Sequence, residues 1–286
     1  MNDYVIVTDS TADLPRQVST ELGIQVIPMK YVIDDHVYLD LDVNTEEFYK
    51  FLREKKLPST TQINTQEFVD FFSTYLEQGK DVIYIGFSGA LSGTYNNALR
   101  ACEELLRQFP ERKIRILDSK SASIGQGLLV YHAALKKKQD MSIEELSEWV
   151  EINKLKCCHW FIVDDLYHLK RGGRISPTVA VVGSILSVKP ILKLDNEGKL
   201  SISDRMRGRR KAFDSIISKV ANLNPSVHNQ TLIVGHGGCL EDAQYAVRRL
   251  KEEFGASEVI VTSIGPVIGT HTGPGALALV FMNDHR

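Results

Sequence analysis

The chain has 286 residues, a length typical of about two domains. It carries 34 Lys and Arg against 36 Asp and Glu, and this net charge of −2 excludes a general electrostatic attraction to nucleic acid or an anionic membrane. With 43% hydrophobic and 24% charged residues, the composition also excludes a disordered, collagen-like or small disulfide-stabilised protein.

The first half of the chain alternates between strand and helix patterns. Strands are predicted over 4–8, 25–29, 81–87 and 113–118, with a small hairpin over 31–39. Helices are predicted after Pro15, Asn44 and Asn64 and over 94–109, 124–137 and 142–153. Apolar strands that alternate with helices predict βαβ units on a parallel sheet.

The second half has a different order of elements. A strand over 160–163 and a polar segment over 170–174 precede a predicted helix over 179–186 and a hairpin of 191–194 with 199–202. Helices over 211–222 and 240–254 and strands over 231–235 and 258–263 follow. Because the hairpin makes the second sheet mixed, the sequence predicts an α/β protein with a parallel-sheet N-terminal domain (1–157) and a mixed-sheet C-terminal domain (158–286).

Cysteine usage and the first residues indicate a cytoplasmic protein. The four cysteines form no C-x-x-C pair and are expected to be reduced thiols: Cys102, Cys157, Cys158 and Cys239. Residues 1–4 lack the basic region of a secretory signal, and no apolar run approaches the roughly 18–20 residues of a membrane span.

Familiar cofactor and catalytic motifs are missing from the sequence. It contains no G-x-G-x-x-G after a strand, no P-loop, no H-E-x-x-H and no G-x-S-x-G, and its eight histidines lack zinc-ligand spacing. We therefore expect no cofactor and no metal.

Small polar loops after predicted strands are the candidate ligand sites, because open α/β sheets bind ligands at the carboxyl ends of their strands. The loop 88–94, which contains Ser92, could hold an anion or merely cap the following helix. The same two interpretations apply to Thr60 and Thr61 within 58–62. The Gly-rich loop 265–275 holds His271, which could bind a ligand or make a structural hydrogen bond.

Two arginine clusters could hold a phosphate or an acidic partner. Arg171 and Arg174 flank a Gly-Gly pair, and four further arginines lie within 205–210, where a solvated charged face is the favoured interpretation. The segment 235–238, which contains His236, is interpreted as a structural turn.

Taken in chain order, several segments together resemble one family. The strings at 6–15, 60–62, 91–95, 118–127, 169–175 and 265–275 resemble those of DegV proteins from end to end. The resemblance implies a two-domain DegV-like (EDD) fold that binds one long-chain fatty acid in a buried tunnel. In this family, which includes the FakB subunits of bacterial fatty-acid kinase, a separate ATP-dependent kinase subunit phosphorylates the carboxylate of the bound fatty acid.

The resemblance also implies which residues form the site. The carboxylate ligands would be Thr60 or Thr61 together with Ser92 and His271, and the choice between the threonines stays open because the family often has Thr-Ser-Gln where this chain has Thr-Thr-Gln. Arg171 or Arg174 would contact the kinase subunit. The implied protein is a lipid-binding substrate carrier without catalysis of its own and without nucleic-acid or integral-membrane association.

Two alternatives remain. The substrate domain of dihydroxyacetone kinase has a related architecture and holds a small carbonyl compound through a His, so His271 or His236 could do the same in an enzyme. A regulator that acts only through protein contacts would instead have its tunnel filled by side chains.

Overall fold

The computed structural model of the chain describes residues 3–42, 44–164, 166–176, 188–223 and 229–286. Its strands are β1 (Tyr4–Asp9), β2 (Gln25–Ile27), β3 (Lys30–Ile33), β4 (His36–Leu39), β5 (Ser59–Thr61), β6 (Asp81–Gly86), β7 (Ile114–Asp118), β8 (Cys157–Ile162), β9 (Val188–Leu194), β10 (Leu200–Arg207), β11 (Thr231–His236), β12 (Glu258–Ser263) and β13 (Leu277–Met282). Its helices are α1 (Arg16–Glu21), α2 (Thr45–Arg53), α3 (Thr65–Leu76), α4 (Thr94–Gln108), α5 (Ser123–Lys137), α6 (Ile143–Asn153), α7 (Tyr167–Arg171), α8 (Arg209–Leu223), α9 (Leu240–Phe254) and α10 (Pro266–Thr272). The helix predicted over 179–186 lies outside the described residues.

The first sheet is parallel, as the sequence predicts. Its strand order is β2-β1-β6-β7, and each neighbouring pair runs parallel. Val5 and Val7 of β1 pack on one face of this sheet, whereas Tyr4 and Ile6 pack on the other. A strand covered on both faces needs apolar residues at every position, which is why β1 and β6 appear as continuous apolar runs.

The second sheet is mixed, also as predicted, but it contains a strand that the sequence analysis missed. The order is β10-β9-β8-β13-β11-β12, with only β11 and β12 parallel to each other. The missed strand is β13, which lies in the middle and pairs with both β8 and β11. Leu277 and Leu279 pack on one face and Ala278 and Val280 on the other.

Two segments expected to be loops are regular structure. Residues 59–61 form β5, which pairs with β3 in a small three-stranded sheet of order β4-β3-β5. Part of the Gly-rich segment forms helix α10, with Gly265 as its N-cap and Pro266 in its first turn, so the expected loop around His271 is wrong. Pro fits a first helical turn because no intrahelical partner is available there for its missing N–H.

The predicted helix starts are confirmed, with one difference in detail. Asn64 with Glu67 and Ser142 with Glu145 form reciprocal capping boxes at α3 and α6. Asn44 caps α2 by accepting a hydrogen bond from the Glu46 backbone N–H, and no reciprocal bond accompanies it.

Helix α5 joins the cores of two lobes, of which the first contains the parallel and the three-stranded sheets and the second contains the mixed sheet. Ile124 and Leu128 pack in the hydrophobic cluster of the mixed sheet, whereas Leu129 and Ala133 pack in a cluster of the parallel sheet. Burial on opposite sides requires apolar residues around most of the helix, a composition typical of a helix enclosed in a core. The two lobes are therefore held together along α5.

All four cysteines are free thiols, as expected from their spacing. In the described part of the chain, no helix is both long enough and apolar enough to cross a lipid bilayer.

Candidate functional site

A cavity of about 900 Å³, including the space at its mouth, lies between the two lobes. Most of the lining is apolar: Met29, Phe87, Leu91, Ala122, Phe161, Leu169, Leu200, Ile264, Val267, Ile268, Ala276 and Ala278. The polar lining residues are Thr11, Thr60, Thr61, Gln62, Ser92, Ser123, His159, Arg174, His271 and Thr272. The cavity therefore combines apolar walls with a limited set of hydrogen-bonding groups.

The structure brings Thr60 and His271 into direct contact. The Thr60 hydroxyl lies 2.9 Å from His271 Nε2. Thr60 is half-buried, whereas Thr61 is exposed, because successive side chains of β5 point to opposite faces of its sheet. Both threonines line the cavity, but only Thr60 makes this contact.

Ser92 lies at the start of α4, as expected, and also lines the cavity. Its hydroxyl accepts a 3.3 Å hydrogen bond from the Thr94 backbone N–H and lies 3.0 Å from the Thr94 hydroxyl. Ser92 therefore satisfies a helix N-terminus, as the capping interpretation predicts, and also stands on the wall of the cavity. Anion binding by this loop stays a prediction.

His271 is held in its neutral form. Burial, the charges of Arg174 and Arg171, and the neighbouring His168 together lower the pKa of His271 to about 3. A neutral imidazole carries one N–H donor and one acceptor. Its second ring nitrogen, Nδ1, is buried and has no hydrogen-bond partner among the described residues.

Gly172 permits this position of the imidazole. A Cβ added at Gly172 would stand 2.2 Å from His271 Nδ1, closer than any real contact. The backbone φ of Gly172 is −73°, an ordinary value, so close approach rather than backbone conformation requires the glycine.

Arg171 ties together the two segments that supply Thr60 and His271. Its guanidinium donates hydrogen bonds to the backbone carbonyls of Pro58 (2.9 Å) and Thr270 (3.3 Å). Pro58 precedes Thr60 by two residues, and Thr270 immediately precedes His271, so one side chain fixes the distance between both parts of the cluster.

Arg174 does the same for the segment that supplies Ser92. Its Nε donates to the Leu91 carbonyl at 3.1 Å, and its Nη1 donates to the Gly172 carbonyl at 2.5 Å. Leu91 immediately precedes Ser92. The arginines expected to contact a partner therefore make backbone contacts inside this chain, and a partner role for either stays a prediction.

Two buried carboxyl groups of the first lobe cap helix α10, a feature that the sequence analysis missed. Asp13 Oδ1 accepts from the Gly265 N–H at 2.8 Å, and Asp40 Oδ1 accepts from the Val267 N–H at 3.0 Å. Burial raises the pKa of Asp13 well above its usual value and the pKa of Asp40 to about 6. Asp13 follows β1 in a polar loop, which was a usable signal, whereas nothing around Asp40 marked it.

His159 is a buried lining residue that the sequence analysis missed. It lies on β8 and is 5% exposed. It is two residues from Phe161, and both side chains are on the face of the sheet that lines the cavity. The expected strand began at residue 160, so the period-two pattern that points both side chains the same way was not followed back to 159.

The second histidine considered as a carbonyl-binding group lies elsewhere. His236 ends β11, is 8% exposed and does not line this cavity. Within the described ranges, no group of three or more metal-ligating side chains is close enough to hold a metal ion.

Comparisons with known proteins match nearly the whole chain. The family model described as "Uncharacterised protein, DegV family" matches residues 3–284. A DegV domain-containing protein of Clostridium perfringens is 43% identical over 289 aligned positions, covering 100% of this chain and 99% of that protein.

Two solved structures with 30% identity to this chain are similar over nearly the whole fold. A DegV family protein of Thermus thermophilus, described for its fatty acid binding, has a TM-score of 0.85 and covers 98% of this chain and 99% of its own. A fatty acid binding protein of Bacillus subtilis, DegV, has a TM-score of 0.85 with 99% and 100% coverage.

Proposed function

The chain belongs to the DegV family, and we propose on this basis that it binds one long-chain fatty acid in the cavity between its lobes. The observation that carries the proposal is the distribution of polarity in that cavity. Its walls are mostly apolar, whereas Thr60, Ser92, His271 and Arg174 gather hydrogen-bond donors in one region. The related proteins of Thermus thermophilus and Bacillus subtilis are described as fatty-acid-binding.

The apolar walls would supply most of the binding free energy. An acyl chain of about 16 carbons, at roughly 0.8 kcal/mol per buried CH₂, offers on the order of 12 kcal/mol of transfer free energy. Immobilising the chain removes part of this amount. Tight binding would therefore need few polar contacts.

The polar region would hold the carboxylate. Thr60, Ser92 and the neutral His271 can each donate a hydrogen bond, and Arg174 adds a positive charge at the cavity wall. Several donors are required because an unpaired buried carboxylate is strongly unfavourable. In this proposal Thr60 rather than Thr61 is the threonine ligand, because its hydroxyl already contacts His271.

We further propose that the bound carboxylate is presented to a separate ATP-dependent kinase subunit, which forms the acyl phosphate, and that this takes place in the cytoplasm. The exposure of Thr61 and Gln62, which both line the cavity, supports access from outside to its polar region. In this role the chain carries the substrate and performs no catalysis itself. Arg171 or Arg174 remains the proposed kinase contact.

Extraction of the purified protein with organic solvent, followed by mass spectrometry, tests the binding function. We expect about one fatty acid per chain, and stoichiometric uptake of palmitate after delipidation. An empty extract together with no uptake would overturn the proposal. A covalent His adduct formed with a small ketone would instead support the carbonyl-binding alternative.

The carrier role needs its own test with the partner kinase and ATP. We expect acyl phosphate from the wild-type chain and a large loss in Ser92→Ala and His271→Ala, with folding unchanged in thermal unfolding. If both variants formed as much acyl phosphate as the wild-type chain, these residues would not belong to the site.

A further inference from the structure

His159 places a hydrogen-bonding side chain on the wall of the cavity. His159 and Phe161 are alternate residues of β8 and line the same cavity. The strand ends at Ile162, and the chain then leads to Gly172, which lies against His271. At about 3.3 Å per residue, His159 lies about 10 Å down the strand from Ile162, away from the polar region.

His159 carries a ring nitrogen that has no hydrogen-bond partner in the parts of the chain that the structure describes. Its Nδ1 is fully buried and unpaired, and so is Ser121 Oγ. A Cβ added at Gly125 would stand 2.8 Å from His159 Nδ1 and 2.4 Å from Ser121 Oγ, so both polar atoms gather around one glycine at the start of α5.

Binding of a purely hydrocarbon chain against an unpaired imidazole in this position is energetically unfavourable. Methylene groups packed over the ring cannot replace the hydrogen bonds that the ring makes with water. A ligand oxygen beside the ring would replace them. Since burial lowers the pKa of His159 to about 3, the ring is neutral and can both donate and accept, which matches a hydroxyl group.

We propose that the deep part of the cavity selects acyl chains that carry a hydroxyl group beyond the carboxyl end, with His159 as its hydrogen-bond partner. This inference rests on the proposed fatty-acid binding and narrows its substrate class. Sites built to hydrogen-bond a hydroxyl discriminate strongly against analogues that lack it, because their own polar group is then left unpaired.

Binding of four C18 acids to the delipidated protein tests the proposal: stearate, 2-hydroxystearate, 10-hydroxystearate and 12-hydroxystearate, measured by titration calorimetry. We expect 10- or 12-hydroxystearate to bind the wild-type chain more tightly than 2-hydroxystearate, whose hydroxyl lies beside the carboxylate. We also expect the ratio of the stearate Kd to the Kd of the preferred isomer to fall about tenfold in His159→Phe, which corresponds to about 1.4 kcal/mol.

Two further variants separate hydrogen bonding from packing. Phe161→Leu, on the same face of β8, should weaken all four acids and leave the ratio unchanged, whereas His159→Gln should retain part of the preference. If His159→Phe does not fold, the comparison of isomers on the wild-type chain remains decisive.

The possible failures are distinguishable. Equal affinity for the three hydroxy isomers, or an unchanged ratio in His159→Phe, overturns the selection by His159 and leaves fatty-acid binding intact. Failure of the wild-type chain to bind any of the four acids overturns the proposed function together with this inference.

Discussion

The hydroxyl of Thr60 lies 2.9 Å from Nε2 of His271, although 211 positions separate the two residues in the chain. Thr60 belongs to the first lobe and His271 to a helix of the second, so their contact exists only when both lobes are folded together. The candidate carboxylate site is consequently a property of the interface between lobes.

The first prediction distinguishes the two threonines. Thr60→Val removes the hydroxyl at nearly constant volume, and we expect fatty-acid affinity to fall about tenfold, the loss of roughly one buried hydrogen bond. Thr61→Val is the matched control, because Thr61 is exposed and does not contact His271; its affinity should change less than about twofold. Titration of both variants with palmitate measures this, and a larger loss in Thr61→Val would reverse the assignment.

The second prediction concerns the glycine pair beside the imidazole. Gly172→Ala should displace His271 and abolish most binding, because the new Cβ would stand 2.2 Å from Nδ1. Gly173→Ala meets nothing within 4 Å but has a φ of +70°, so it should cost about 1 kcal/mol of stability and leave affinity unchanged. Affinity and the free energy of denaturant unfolding should be measured on both variants. We expect a loss of affinity in Gly172→Ala, and in Gly173→Ala a loss of unfolding free energy with normal affinity; equal affinities of the two variants would contradict the expectation.

The third prediction separates positioning by the arginines from contact with a partner. Arg174→Lys keeps the charge but loses the planar set of donors that holds the Leu91 and Gly172 carbonyls, so we expect a several-fold loss of fatty-acid affinity without any kinase present. Arg207→Lys, at an exposed position of β10, is the control. Normal affinity of Arg174→Lys combined with failed acyl-phosphate formation would instead favour a partner contact.

The fourth prediction concerns pH and the Asp40 cap on α10. Burial raises the pKa of folded Asp40 to about 6, against 3.8 for its usual value, so the folded state binds this proton more tightly than the unfolded state. The stabilisation from this group is therefore complete below about pH 4 and is lost as pH rises through 6. Between pH 5.0 and 7.5 the loss should be about 1–2 kcal/mol, because one pKa unit corresponds to about 1.4 kcal/mol.

The variant Asp40→Asn tests whether stability falls as pH rises through 6 because Asp40 loses its proton. It keeps an oxygen acceptor for the Val267 N–H but cannot titrate, so the difference in unfolding free energy between the two pH values should change by this amount relative to the wild type. The exposed Asp42→Asn should leave the difference unaltered. Subtracting the unfolding free energy of the wild type from that of the variant at each pH also cancels the contributions of His159 and His271. Their lowered pKa values change stability with pH in the opposite direction. The same pH dependence in Asp40→Asn and wild type would show that the proton is held elsewhere.

Local patterns predicted most of the fold correctly. The apolar runs of β1 and β6 identified strands covered on both faces, and Asn64 and Ser142 identified helix starts through bonds within one turn. Helix α10 was missed because its segment carries Gly and Pro, while a distant partner, Asp40, caps its first turn. Strand β13 is a continuous apolar run without Gly or Pro, so local pattern could have predicted it, although its pairing with β8 and β11 could not be read from that run.

By itself the sequence determined the fold class, the family and the segments that hold the candidate ligands, since each depends on residue types and their spacing along the chain. Only the tertiary structure decided that Thr60 rather than Thr61 meets His271, that two arginines anchor the neighbouring carbonyls, and that His159 lines the cavity between the lobes. These facts depend on which face of a strand points inward and on how two lobes meet across α5. Residue spacing can show which side chains share a face of a strand, but it does not show which distant segment packs against that face.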